Sequence, residues 1–212
     1  MTMMSRRTSL ALLGTVPLAR ALSARVQGPV PGGMIPAREK IRARYFPNVS
    51  LVTHEGRKVC FYDDLIKDKI VTINFMYAVC EGICPGITAN LAKVQKALGD
   101  RVGRDIFMYS FTLKPEHDTP AVLKEYAEMH EAKPGWSFLT GKPADMELLR
   151  RKLGFVDPDP EVDKDKSQHI GNVRYGNEAL QLWGACPGLA SPQWIVESIG
   201  FVNWPKGRQA GR

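Results

Sequence analysis

The chain is expected to fold as a mixed α/β domain. One sheet is covered by helices on both faces, with an N-terminal β-hairpin and a C-terminal helical extension. Three observations carry this expectation. Nearly continuous apolar runs occur at residues 70–76 and 105–111, the pattern of strands buried on both faces. Other segments place apolar residues three to four apart, as at Ile87, Leu91, Val94 and Leu98, which is helical spacing. Strands that alternate with helices of this length build a sheet with helices packed across it.

Each element follows from local chemistry. Residues 49–53 read as a strand, 54–57 as a turn and 58–62 as the hairpin partner. Residues 70–76 form a central strand, and a helix follows from Pro85. A second central strand covers 105–111. Residues 121–130 form a helix, with Thr119 as cap and Pro120 in its first position. Trp136–Leu139 is a short strand. Residues 144–153 form a helix with Met146, Leu149 and Leu153 on its inner side. Residues 170–183 suggest two strands joined at Gly176-Asn177, a strong hairpin turn. Ser191 is placed to cap a last helix carrying Trp194, Ile195, Ile199 and Val202.

The 212 residues suit one domain with some chain to spare, at 44% hydrophobic and 24% charged. No apolar run approaches the length of a membrane span. The net charge of +7 raises nucleic acid as a partner. The first residues account for much of it. Ser5-Arg6-Arg7-Thr8-Ser9-Leu10 is a twin-arginine pattern, followed by a short apolar stretch and small-residue cleavage sites at 19–24. Residues 1–24 are therefore expected to be a twin-arginine export signal. Losing Arg6, Arg7 and Arg20 takes the net charge from +7 to +4. No basic stripe is interleaved with aromatics, so no nucleic-acid partner is expected. Membrane association is expected only through an uncleaved N-terminus. Residues 25–48 hold seven Pro and Gly residues and read as a linker. The domain then spans 49–204, in an oxidising periplasm. No Gly-rich phosphate loop precedes a helix, so nucleotide binding has no support.

The most informative stretch is Cys80-Glu81-Gly82-Ile83-Cys84-Pro85. It lies beyond the end of a central strand, where open α/β sheets place their sites. Pro85 starts a helix, which puts Cys84 at the cap, where the helix dipole favours thiolate. Gly82 lets the loop turn tightly enough to bring the sulfurs together. A reversible disulfide, a metal site and a pair of core cysteines are the three readings of this pair. His54, His117 and His130 read as solvated. His169 ends a polar run at the start of a strand and is the candidate third ligand. Cys60 and Cys186 read as structural.

These segments resemble the Sco/SenC family of copper proteins, which assemble the CuA centre of cytochrome c oxidase. The likeness covers about residues 45–183. It rests on Phe75-Met76-Tyr77 leading into Cys80-x-x-x-Cys84-Pro85, on Pro115-Glu116-His117-Asp118-Thr119-Pro120, on residues 135–141 and on the His169 segment. The resemblance implies a thioredoxin-like fold with one copper ion, Cu(I) or Cu(II), held by Cys80, Cys84 and His169. Two soft thiolates suit Cu(I), and an imidazole helps to hold Cu(II). It also implies a periplasmic metallochaperone whose partner is the CuA subunit of cytochrome c oxidase or another periplasmic copper protein. The alternative is a thiol–disulfide oxidoreductase that uses Cys80 and Cys84 to keep partner cysteines reduced. A peroxidase-like thiol enzyme and a structural zinc protein are the remaining candidates. Three positions depart from the family pattern: Lys114 where an acid is usual, Ala78 where Thr or Ser is usual, and Glu81 in place of Pro. Glu81 is expected to raise the pKa of the thiols. Residues 184–212 extend beyond the usual core.

Overall fold

The computed structural model describes residues 36–165 and 170–203. The expected export signal, residues 25–35 of the expected linker, segment 166–169 and residues 204–212 lie outside the described residues. The strands are β1 (Ser50–Thr53), β2 (Lys58–Cys60), β3 (Ile70–Met76), β4 (Ile106–Thr112), β5 (Trp136–Gly141), β6 (Asn172–Asn177) and β7 (Leu182–Pro187). They form one sheet in the order β2-β1-β5-β4-β3-β6-β7. The central β3, β4 and β5 run parallel, and an antiparallel pair flanks them on each side. The helices are α1 (Ala37–Tyr45), α2 (Cys84–Leu98), α3 (Pro120–Met129), α4 (Pro143–Lys152), α5 (Pro160–Lys164) and α6 (Pro192–Val202).

The alternation of side chains along each strand divides the core into two layers. Met108 and Phe138 face α2, α3 and α6, where Ile87, Leu91, Leu123, Ile195 and Ile199 pack against them. Val71, Ile73, Phe75, Phe111 and Leu139 face the other way, onto Met146 and Leu149 of α4 and the segment after β2. Each large apolar side chain buried this way contributes about 1.5–3 kcal/mol. The expected caps form: Thr119 accepts from Val122 N at 3.3 Å, and Ser191 from Trp194 N at 3.2 Å.

Four local readings are revised. The stretch 37–45, expected to lie in a loose linker, is the helix α1. The prolines and glycines of residues 25–48 fall on either side of it and none inside. Arg38 anchors it to Glu178 at 2.9 Å. The second hairpin strand stops at Cys60, and Phe61–Ile66 forms one wide helical turn closed by Lys67 N to Tyr62 O at 2.8 Å. Asn48 accepts from Tyr62 N and Asp64 from Cys60 N, which turns the chain and buries Phe61 and Leu65. The β6–β7 connection is not at Gly176-Asn177 but at residues 178–181. Gly176 is a strand residue whose missing side chain admits the Trp183 ring, since a Cβ there would lie 2.1 Å from it. Finally, α2 begins at Cys84 rather than Pro85, and Ile83 is its cap.

Two buried charges tie this frame together. Glu178 is 0% exposed. It accepts from Arg38, the Tyr62 hydroxyl at 3.0 Å and Asp68 N at 2.9 Å, joining α1, the wide turn, the approach to β3 and the β6–β7 connection. Burial pushes this carboxyl upward, but those donors outweigh it and hold it down at about 2. Arg150 on α4 is 3% exposed. It donates to both Asp163 oxygens at 2.6 Å and to Phe155 O at 2.7 Å, fixing α5 and the chain that leads toward residue 166.

Because the folded-state pKa of Glu178 is depressed, the stability it supplies is present above about pH 4.5 and lost as pH falls toward about 2. Glu178→Gln is expected to flatten that part of the stability–pH curve and to cost about 1.5–3 kcal/mol at pH 7. Urea unfolding at a series of pH values measures both. Arg150→Ala removes the buried guanidinium that bridges Asp163, Glu147 and Phe155 O and is expected to cost about 3–5 kcal/mol in the same assay.

Candidate functional site

The loop from Tyr77 to Ile83 leaves the carboxyl end of β3 and feeds directly into α2. Its tip residues Val79, Glu81 and Gly82 face solvent, while both thiols turn inward. Cys80 is 8% exposed and Cys84 1%. The two thiols lie in one buried cluster, and each acts on the other's titration. Burial acts to raise the pKa of Cys80. The Cys84 thiol, the Tyr77 hydroxyl and the backbone N–H groups of Cys84 and Gly82 oppose it and win, so Cys80 lies below the ordinary thiol value. Burial, together with Cys80, pushes Cys84 up to about 12. This reverses the sequence expectation, in which the helix start favoured thiolate at Cys84. The dipole acts on Cys84, but depth dominates there. The expected lift from Glu81 is likewise not what governs Cys80, where the local donors prevail.

Asp118 is 2% exposed. Its Oδ2 accepts from Ala78 N at 3.1 Å and from the Thr112 hydroxyl. Thr112 Oγ1 in turn accepts from Lys114 N at 2.9 Å. The thiol loop is thereby tied to the end of β4 and to the run that opens α3. Lys114 returns over the loop, with its Nζ 4.0 Å from the centroid of the Tyr77 ring. Under the loop, Thr88 and Tyr126 share a hydroxyl hydrogen bond of 2.9 Å. Tyr77, Thr112 and Asp118 had no role in the sequence reading. Tyr77 and Asp118 were signalled only by membership in the segments Phe75-Met76-Tyr77 and Pro115–Pro120, and Thr112 by nothing.

The structure therefore brings Cys80 and Cys84 together. His169 lies outside the described residues. His54 is half-buried and accepts from Phe138 N at 3.2 Å, and burial lowers its pKa. His130 packs on the Tyr126 ring at 4.4 Å, and burial lowers its pKa as well. These two are less solvated than expected, while His117 is exposed. Cys60 and Cys186 are free thiols, and burial in β7 pushes Cys186 up to about 11. Among the described residues, no three His, Cys, Asp or Glu side chains form a metal-binding group. A large cleft of about 720 Å³ lies at the far end of the sheet, lined by His54, Lys69, Tyr109 and Gly135, and does not include the thiols. No helix among the described residues is long and apolar enough to cross a membrane.

Comparison with known proteins places this geometry. The SCO1 protein homolog of Bacillus subtilis (strain 168) is 35% identical over 88 residues, which is 41% of this chain and 44% of that protein. The chain thus matches less than half the length of this curated relative. The copper-bound structure of Bradyrhizobium japonicum ScoI is similar with a TM-score of 0.58 at 21% identity, covering 72% of this chain and 96% of that one. Copper-bound yeast Sco1 is similar with a TM-score of 0.59 at 21% identity, covering 74% and 88%. These likenesses show the thioredoxin-like fold. The SCO1/SenC family model matches residues 38–200, from α1 through the sheet and the thiol loop into α6. The chain belongs to the SCO1/SenC family.

Proposed function

We propose that this chain is a periplasmic metallochaperone that binds copper through Cys80, Cys84 and His169 and delivers it to the CuA centre of cytochrome c oxidase. The observation that carries this reading is the pair of buried, inward-facing thiols beyond the carboxyl end of β3. Two adjacent sulfurs are a soft donor set, suited to Cu(I). His169 supplies an imidazole that also suits Cu(II). Gly171, two residues after His169, supports its assignment: a Cβ at Gly171 would lie 2.5 Å from Ile83, so Gly171 packs against the residue before Cys84. Three protein ligands leave a position open for a partner's donor.

Cys80 engages the ion first, since hydrogen bonds already stabilise its thiolate. Cys84 follows with loss of its proton, so copper binding releases protons. Tyr77 holds Cys80 through its hydroxyl, and Asp118 holds the loop at Ala78. As cargo, copper leaves by exchanging these ligands for those of the receiving site.

The unequal pair also favours a second reading, thiol–disulfide exchange. The Cys80 thiolate attacks a partner disulfide and forms a mixed disulfide, releasing one partner thiolate. Cys84 gives up its proton and attacks Cys80 Sγ. This closes the Cys80–Cys84 disulfide and frees the second partner thiol. The partner gains two electrons and this chain loses two.

The purified chain is expected to bind one copper per molecule, and Cys80→Ala or Cys84→Ala to abolish retention through desalting. His169→Ala is expected to weaken the thiolate-to-Cu(II) absorption band while leaving disulfide exchange largely intact. Absence of copper in the wild type, with disulfide exchange retained, would overturn the copper reading in favour of the second. Apparent Cu(I) affinity, measured against a competing chelator, is expected to fall as pH falls, because the proton on Cys84 competes with the metal.

A further inference from the structure

We propose that the Lys114 ammonium biases copper at this site toward Cu(I); the proposal rests on the copper-binding reading above. Lys114 Nζ stands 4.0 Å from the centroid of the Tyr77 ring, and Tyr77 shares one buried cluster with Cys80, whose thiolate its hydroxyl favours. A positive charge is therefore held one aromatic ring away from the sulfur. It is held rather than free to wander. Its backbone N–H is fixed by Thr112, Thr112 is fixed by Asp118, and its side chain is half-buried over the ring. The ring face attracts the ammonium. Among the described residues Lys114 makes no salt bridge, so no paired carboxylate neutralises it.

Charge arithmetic gives the direction. Two thiolates with Cu(II) make a neutral centre, and the same thiolates with Cu(I) make a centre of charge −1. A neutral imidazole alters neither sum. A fixed cation nearby stabilises the more negative form, and it does so more strongly where protein displaces water. The equilibrium between Cu(II) plus one electron and Cu(I) therefore moves toward Cu(I). The nearby carboxylates Asp118, Glu81 and Asp165 act in the opposite sense. They are unchanged when only Lys114 is replaced, so the effect of Lys114 can be read as a difference.

The experiment uses the full chain loaded with one copper and titrated against one-electron mediators, following the thiolate-to-Cu(II) absorption. Lys114→Met removes the charge and keeps an unbranched stem over Tyr77. It is expected to shift the Cu(II)/Cu(I) equilibrium toward Cu(II) by about tenfold, a fall of about 59 mV in midpoint for one electron. Lys114→Arg keeps the charge and is expected to keep the wild-type midpoint. An unmoved midpoint in Lys114→Met overturns the proposal while leaving copper binding intact. A shift in Lys114→Arg as large as that in Lys114→Met also overturns it, since the effect would then come from shape and not charge. A wild-type chain that holds no copper in either state overturns the copper reading and this proposal with it.

Discussion

One oxygen of Asp118 accepts from Ala78 N and from the Thr112 hydroxyl, so the loop after β3, the end of β4 and the run that opens α3 meet at a single buried atom. The tip of the thiol loop is solvated, and the loop contains a glycine and no regular hydrogen-bond ladder. A carboxylate removed from water must be satisfied by donors, and here the donors come from the segments that have to be held. Its desolvation thus becomes a geometric constraint on where Cys80 and Cys84 stand. Lys114 depends on the same node, because Thr112 fixes its backbone.

The sheet explains why this node sits where it does. The parallel strands β3 and β4 end side by side, with Met76 in register with Thr112. Their following loops emerge together, and α2 starts within eight residues of that edge. The layers on either face are apolar and closed. At this edge backbone groups lack ladder partners, and side chains such as Asp118 supply them.

Much of this was legible in the sequence. The central strands announce themselves as unbroken apolar runs, and α2, α3 and α6 as periodic faces with Thr119 and Ser191 at their starts. The paired thiols follow from a glycine-containing loop placed between strand and helix. What was not legible depends on partners distant in sequence. Nothing within residues 37–45 states that Arg38 will find Glu178, 140 residues away. Gly176 looks like a turn residue until the Trp183 ring is laid on it. The wide turn at Phe61–Ile66 is chosen by Asn48 and Asp64, whose side chains supply acceptors that a strand would have found elsewhere. Local propensity pointed to Cys84 as the thiolate. Burial depth, a tertiary quantity, reversed that order.

The difference in depth between the two cysteines also gives the site a direction in time. A metal ion, thiol or oxidant arriving from solvent meets Cys80 before Cys84, the more deeply buried first residue of α2. Under the proposed copper reading departure runs the other way: the inner sulfur lets go first, and Cys80 is the last point of contact. On that reading arrival and release share one doorway, and a partner that engages Cys80 governs what Cys84 holds.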